Sequence, residues 1–203
     1  RLQRLIRRAT ALLQAYDYAT AKSEIETFFW TELADNYLEM CKVRLYAEDG
    51  PQRNGARFAL YHALLAVLKL LAPLLPYVTE VIYQGLFAST DGQASIHLAA
   101  WPTPISVLED EGAIALGETL VEIATAVRRY KSEHNLSLGS ELSRVQLGSV
   151  DAALQAASAD LAGITPAPQI EFVKMEQEAV FGSDLFLRLI GIRAQNVMQK
   201  QIL

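Results

Sequence analysis

The sequence predicts a mainly α protein: a helical bundle followed by a small β-α-β unit. Three observations predict it. At about 100° per residue, Ile25, Phe28, Phe29, Leu33, Tyr37, Met40 and Cys41 form one apolar stripe, which Trp30, Ala34, Leu38 and Leu45 widen past half the circumference. Further stretches on both sides repeat that helical period, and after Ser143 the pattern changes to strict alternation. A hydrophobic fraction of 51% and a charged fraction of 20% over 203 residues leave enough apolar surface for a large core.

Residues 2–15 read as a helix, with Leu2, Leu5, Ile6, Ala9, Leu12 and Leu13 on one face and Arg4, Arg7 and Arg8 away from it. That cationic edge is either a solvated face or a phosphate-facing one. Asp17 breaks or caps the junction before a second helix over 18–46. Glu24, Thr31, Asp35 and Lys42 occupy its narrow polar side, so it belongs in the middle of a bundle. There Trp30 is expected in the core, where Trp30→Ala would cost about 3–5 kcal/mol. Asn36 and Arg44 project inside the apolar arc and are expected to be satisfied by partners, since buried polar groups are paired. Cys41, the lone cysteine, reads as a buried small hydrophobe in a reducing compartment, the cytoplasm.

Residues 48–55 are a turn-rich loop. Residues 56–71 are apolar almost all round, yet too short, and too near Pro73 and Pro76, to span a bilayer. His62 on this helix has no second ligand at metal spacing and reads as a core or edge residue. Pro76 suits the first turn of a helix to about Phe87, with Glu80 near its positive end. Residues 89–93 are a loop. Residues 95–101 form an extended strip anchored by Trp101 beside Pro102 and Pro104, or alternatively a base-stacking tryptophan. Glu109, Asp110 and Glu111 open the next helix, over 116–135, whose inward residues are Leu116, Leu120, Ile123, Ala124 and Val127. Its last turns carry Arg128, Arg129 and Lys131, placed to face phosphates or simply to complement the helix dipole. Then a strand at 144–148, an Ala-rich helix at 151–161 and a strand at 169–175 form the β-α-β unit. Residues 181–203 read as a helical tail. The division expected is therefore 1–140, 141–180 and 181–203.

Net charge is −5, which opposes indiscriminate nucleic-acid binding but allows local basic sites. Between residues 45 and 127 the only Lys or Arg are Arg53, Arg57 and Lys69. The chain begins at Arg1, mid-helix by pattern and without an initiator Met, and reads as a piece of a longer protein. It has no signal or transit pattern.

Four segments in order carry a resemblance. They are Phe28-Phe-Trp with Asp35-Asn-Tyr-Leu-Glu and Lys42-x-Arg; Leu71-Ala-Pro-Leu-Leu-Pro-Tyr-Val-Thr-Glu-Val-Ile-Tyr; Ser95-Ile-His-Leu-Ala-Ala-Trp-Pro; and Val127-Arg-Arg-Tyr-Lys-Ser-Glu-His-Asn-Leu-Ser-Leu-Gly. Over roughly residues 1–145 they resemble the anticodon-binding helical domain of class I aminoacyl-tRNA synthetases, in the subgroup for valine, isoleucine, leucine and methionine. The last segment is most similar to the valine-specific members. The alternatives are the same region of an isoleucine- or leucine-specific member, or a helical protein-interaction bundle. The resemblance implies a grip on a tRNA anticodon stem-loop, the rest of a synthetase as partner, and ATP with Mg in that rest. The family's His-x-Gly-His and Lys-Met-Ser-Lys-Ser signatures are absent here, as are a phosphate loop and a metal-ligand cluster, so catalytic residues are expected to be none. The expected RNA contacts are Arg4, Arg8, Lys42, Arg44, Arg128, Arg129 and Lys131.

Overall fold

The computed structural model describes residues 1–148, 151–167 and 169–172, and the backbone of 192–196. In chain order it contains α1 (Leu2–Gln14), α2 (Tyr18–Thr27), a π-helical segment (Phe28–Tyr37) and α3 (Leu38–Leu45). Then come α4 (Pro51–Leu71), α5 (Pro76–Leu86), α6 (Ala88–Asp91) and two 3-10 turns (Ile96–Leu98 and Ser106–Leu108). Last are α7 (Glu111–Glu133), β1 (Leu142–Leu147), α8 (Ala152–Ala156), α9 (Ser158–Ile164), β2 (Ile170–Phe172) and β3 (Ile192–Asn196). They divide into two compact units, one from Arg1–Leu38 and Glu48–Glu111, the other from Glu39–Ala47 and Gly112–Leu203.

The first unit is a helical bundle. Leu5, Ile6 and Ala9 of α1 pack with Ile25, Leu33 and the Ala63, Ala66, Val67 and Leu70 face of α4. The opposite side of α4 presents Leu65 to Tyr83, Phe87 and Ile96, which explains why α4 is apolar all round. Asp17 caps α2, accepting from the Thr20 amide at 3.2 Å. Pro51 and Pro76 each open a helix, where the missing proline N–H leaves nothing unpaired. A short helix replaces the loop expected at 89–91. Its Asp91 accepts from Tyr83 Oη at 2.8 Å and lies 3.0 Å from Lys69 Nζ. Burial opposes the charged form of Asp91, but the bonds from Lys69 and Tyr83 outweigh it and hold the carboxyl below its ordinary value. Burial, with Asp91 alongside, pushes the Tyr83 phenol up to about 12.

The strip from Ser95 to Glu111 is laced to two helices. Glu80 Oε2 accepts from Ser95 Oγ at 2.9 Å and from the Ile96 amide at 3.0 Å. Trp101 is the expected anchor: its Nε1 donates to Thr10 Oγ1 of α1 at 2.9 Å. The buried Gln3 of α1 accepts from the Ile105 amide at 2.8 Å. Among the described residues no helix is long and apolar enough to cross a membrane.

Trp30 corrects the sequence reading, since it is 61% exposed. A period of 3.6 residues placed it inside, but Phe28–Tyr37 is π-helical. Its wider i→i+5 turn rotates Trp30 outward, while Asn36 stays on the inner side. Asn36 is buried and paired as expected, donating Nδ2 to Thr31 O at 2.5 Å.

The second unit is built round β1, with β2 parallel on one side and β3 antiparallel on the other. Leu142, Val145 and Leu147 of β1 are fully buried, and an irregularity between Leu142 and Arg144 accounts for their uneven spacing. They share a core with Met40, with Leu120, Ile123, Ala124 and Val127 of α7, and with Leu154, Leu161 and Ile164. The β-α-β unit is present, its helix broken at Ala157 into α8 and α9, and Asp151 caps α8. Residues 173–175 of the expected second strand lie outside the described residues.

Two expectations change. The helix α7 belongs to this unit and not to a bundle ending at residue 140, because its apolar face packs on the sheet. Residues 192–196 are a strand where a helical tail was expected. That strand satisfies the second edge of β1, and the sequence Ile-Arg-Ala-Gln-Asn alternates accordingly. The remaining residues of 181–203 lie outside the described residues. Cys41 is fully buried, as expected, and burial raises its thiol pKa. Gly163 of α9 leaves room for the α3 backbone: a Cβ there would stand 2.7 Å from the Glu39 carbonyl oxygen.

With Trp30 outside the core, Trp30→Ala should cost under about 1 kcal/mol in denaturant unfolding, not the 3–5 of a buried residue. Asp91→Asn should cost about 2 kcal/mol at neutral pH. The folded-state pKa of Asp91 lies below its ordinary value, so its stabilisation is present above the unfolded pKa and is lost as pH falls through the folded one. Unfolding followed from pH 7 to 2 should show a smaller acid loss in the variant than in the wild type.

Candidate nucleic-acid interface

On α1 the apolar residues face the core at helical spacing. Arg1, Arg4 and Arg8 therefore fall together on one edge at i, i+3 and i+7. That edge borders a groove of about 410 Å³, floored by Leu5 and Phe28 and walled opposite by Ser23, Glu24, Thr27 and Glu32. Arg1 Nη1 lies 3.1 Å from Glu32, and Arg8 Nε 3.2 Å from Glu24. Arg4 pairs with Glu111, and Arg7 holds Glu109 with both guanidinium arms, one at 2.6 Å. The Arg7 pairing holds the Glu109 carboxyl below its usual range. The groove is thus an amphoteric slot: cations on one wall, carboxylates and hydroxyls on the other. A phosphate entering it would displace Glu24 or Glu32 from an arginine with little loss of hydrogen bonding.

In the second unit the cations differ sharply from one another. Lys42 is exposed and pairs with Glu39 on its own helix, at 2.6 Å. Arg129 is exposed, with Nε 2.8 Å from Glu133, and Arg128 is half-buried. Such exposed pairs are worth little and exchange readily.

Two of the expected contacts are engaged inside the protein. Lys131 is 1% exposed, and its ammonium donates to Leu138 O at 2.8 Å, tying the end of α7 to the loop that follows. Burial lowers its pKa. Arg44 Nε sits 2.8 Å from Asp160 Oδ1 of α9. Both atoms are shut off from water, and the contact is an ion pair whose alignment is not that of a hydrogen bond. Burial raises the Asp160 carboxyl, with the Arg44 charge opposing. Arg44 is paired as the sequence implied, but it braces α3 on α9. Both residues leave the phosphate-contact set, because freeing either would strand a buried group.

Sequence reasoning missed Arg1, Ser23 and Thr27. Ser23 and Thr27 stand at i, i+4 on α2, a spacing that was there to read, but only the tertiary structure turns them toward α1. His62 is exposed and lies tilted against Phe58, with ring centroids 4.2 Å apart and planes at 57°. Among the described residues no three His, Cys, Asp or Glu are grouped to hold a metal ion.

Fold and charge define a helical module with a cation-edged groove, joined to a small α/β unit. The profile of the anticodon-binding domain of tRNA ligase matches residues 1–146, and the chain belongs to that family. It is 41% identical over 180 residues to a valine–tRNA ligase of Thermococcus kodakarensis, covering 88% of the chain and 20% of the relative. It is 39% identical over 178 residues to that of Pyrococcus horikoshii, covering 87% and 20%. It is 38% identical over 179 residues to that of Methanopyrus kandleri, covering 84% and 19%. The chain spans about a fifth of the length of these relatives.

Lys131→Ala should lower stability by about 2–4 kcal/mol, from the lost stem packing and the orphaned Leu138 carbonyl. Urea unfolding without any RNA present checks it; a neutral result would return Lys131 to the surface set.

Proposed function

We propose that this chain is the part of a valine–tRNA ligase that grips the anticodon stem-loop of its tRNA, supporting ATP-dependent aminoacylation by the rest of the polypeptide. The observation that carries the reading is the similarity over more than four-fifths of the chain to relatives that bear that one name, on a family profile defined by anticodon binding. Arg4 and Arg8 of the first unit, and Lys42, Arg128 and Arg129 of the second, take phosphate oxygens. Affinity comes from exchanging carboxylate partners and counterions for phosphates. Such contacts fix the position and register of the RNA; identity is read by other groups that reach unstacked loop bases.

ATP and Mg belong to the remaining part of the ligase. The residues of this chain do not fit them: neither synthetase signature occurs and the described residues hold no ligand cluster. No step of adenylation is assigned to this chain. Its partners are the tRNA and the catalytic part of the same polypeptide, and its compartment is the cytoplasm, consistent with a single, buried cysteine.

In the full-length protein, Arg4→Gln with Arg8→Gln, and separately Arg128→Gln with Arg129→Gln, should weaken tRNA binding. Each double change should reduce the slope of log K against log salt concentration by about 2, roughly 1 per phosphate contact. Affinity and slope unchanged in a folded variant would remove that edge from the interface.

A further inference from the structure

The helix α5 is inverted in polarity. Its buried side carries Thr79 and Tyr83, both hydrogen-bonded, and its flank carries Glu80 and Gln84. The half turned to solvent is Tyr77, Val78, Val81, Ile82, Gly85 and Leu86, with no charged residue among them. Tyr77 is 88% exposed, Val81 72% and Leu86 66%. Positions i, i+1, i+4, i+5, i+8 and i+9 make a continuous apolar stripe, which in a finished protein is a contact surface.

The chemistry of the stripe narrows what covers it. No Lys or Arg occurs from residue 70 to residue 127. An RNA backbone or an anionic membrane surface would find no cation to attract it there. A second copy of the chain gains too little. The helix has 11 residues and is roughly 16 Å long, so two copies would bury a few hundred Å² against the roughly 1,200–2,000 Å² of a stable pair. A tethered partner needs far less area, because linkage raises its effective concentration to about the millimolar range. The relatives are about five times as long as the region matched.

We propose that this face of α5 docks an uncharged aliphatic or aromatic surface of the same polypeptide, outside these 203 residues. The proposal rests on reading the chain as one part of a longer ligase. Glu80 then has two duties: it holds Ser95 and Ile96, and it keeps the orientation of α5 that turns the stripe outward.

The test places a reporter thiol on the stripe. Tyr77→Cys, and independently Leu86→Cys, are made in the full-length protein and in the 203-residue chain. Alkylation by iodoacetamide is timed by mass spectrometry of the peptide carrying each position, and tRNA charging is assayed in the same full-length preparation. Both positions should label about ten-fold or more slowly in dilute full-length protein without tRNA than in the chain. Equal rates in an enzyme that charges tRNA overturn the docking inference alone. Protection that grows with protein concentration overturns it in favour of a second copy, and protection only with tRNA overturns it in favour of RNA. Failure to charge any tRNA overturns the ligase reading, whatever the labelling shows.

Discussion

The first unit depends on the carboxylate of Glu80. The strip from Ser95 to Glu111 has almost no regular structure of its own, so its backbone groups must find partners elsewhere. Glu80 Oε2 takes two donors from the head of the strip, Ser95 Oγ and the Ile96 amide. The carboxyl is held below its usual pKa by Gln84, Ser95 and the Ile96 amide. With the head fixed, Ile96 enters the core beside Tyr83 and Phe87, and the strip then meets α1 through Trp101 to Thr10 and the Ile105 amide to Gln3. The groove follows from this lacing. Arg7 and Arg4 hold the strip at Glu109 and Glu111, while Arg1 and Arg8 face α2.

The second unit works on a different constraint, the isolation of β1. A strand of six residues paired to one of three is not stable alone. It is stabilised by β3 on its other edge and by α7 against its face. The close approach of α9 to α3 at Gly163, with the Arg44–Asp160 pair nearby, brings Met40 to the same core. Hence two cations that a composition count would offer to RNA, Arg44 and Lys131, are used inside. Burying them is tolerable because each has a partner at 2.8 Å.

Charge is therefore partitioned along the chain. The cation-free stretch from residue 70 to residue 127 contains both the strip and the outward apolar face of α5. Among the described residues the exposed cations lie before it, on α1, α3 and α4, and after it, on α7. On the proposed reading, in which the chain holds tRNA and docks its own polypeptide, a stray cation on the docking face would recruit RNA to it.

Local signals in the sequence determined the local features. Asp17 marked a cap, Pro76 a helix start, alternation after Ser143 the β-α-β unit, and Trp101 between prolines an anchor, because each rests on contacts within a few residues or on side-chain type alone. Four ordered segments determined the family. Only the tertiary structure decided the rest. A π turn, whose i→i+5 bonds no 3.6-residue template anticipates, put Trp30 outside. The free edge of β1, supplied some fifty residues away, made 192–196 a strand. The fate of each arginine and lysine lay beyond the sequence as well, because a cation on a helix is the same residue whether it meets water, a carboxylate across a groove or a buried carbonyl. Those partners are set by the packing of elements far apart in the chain.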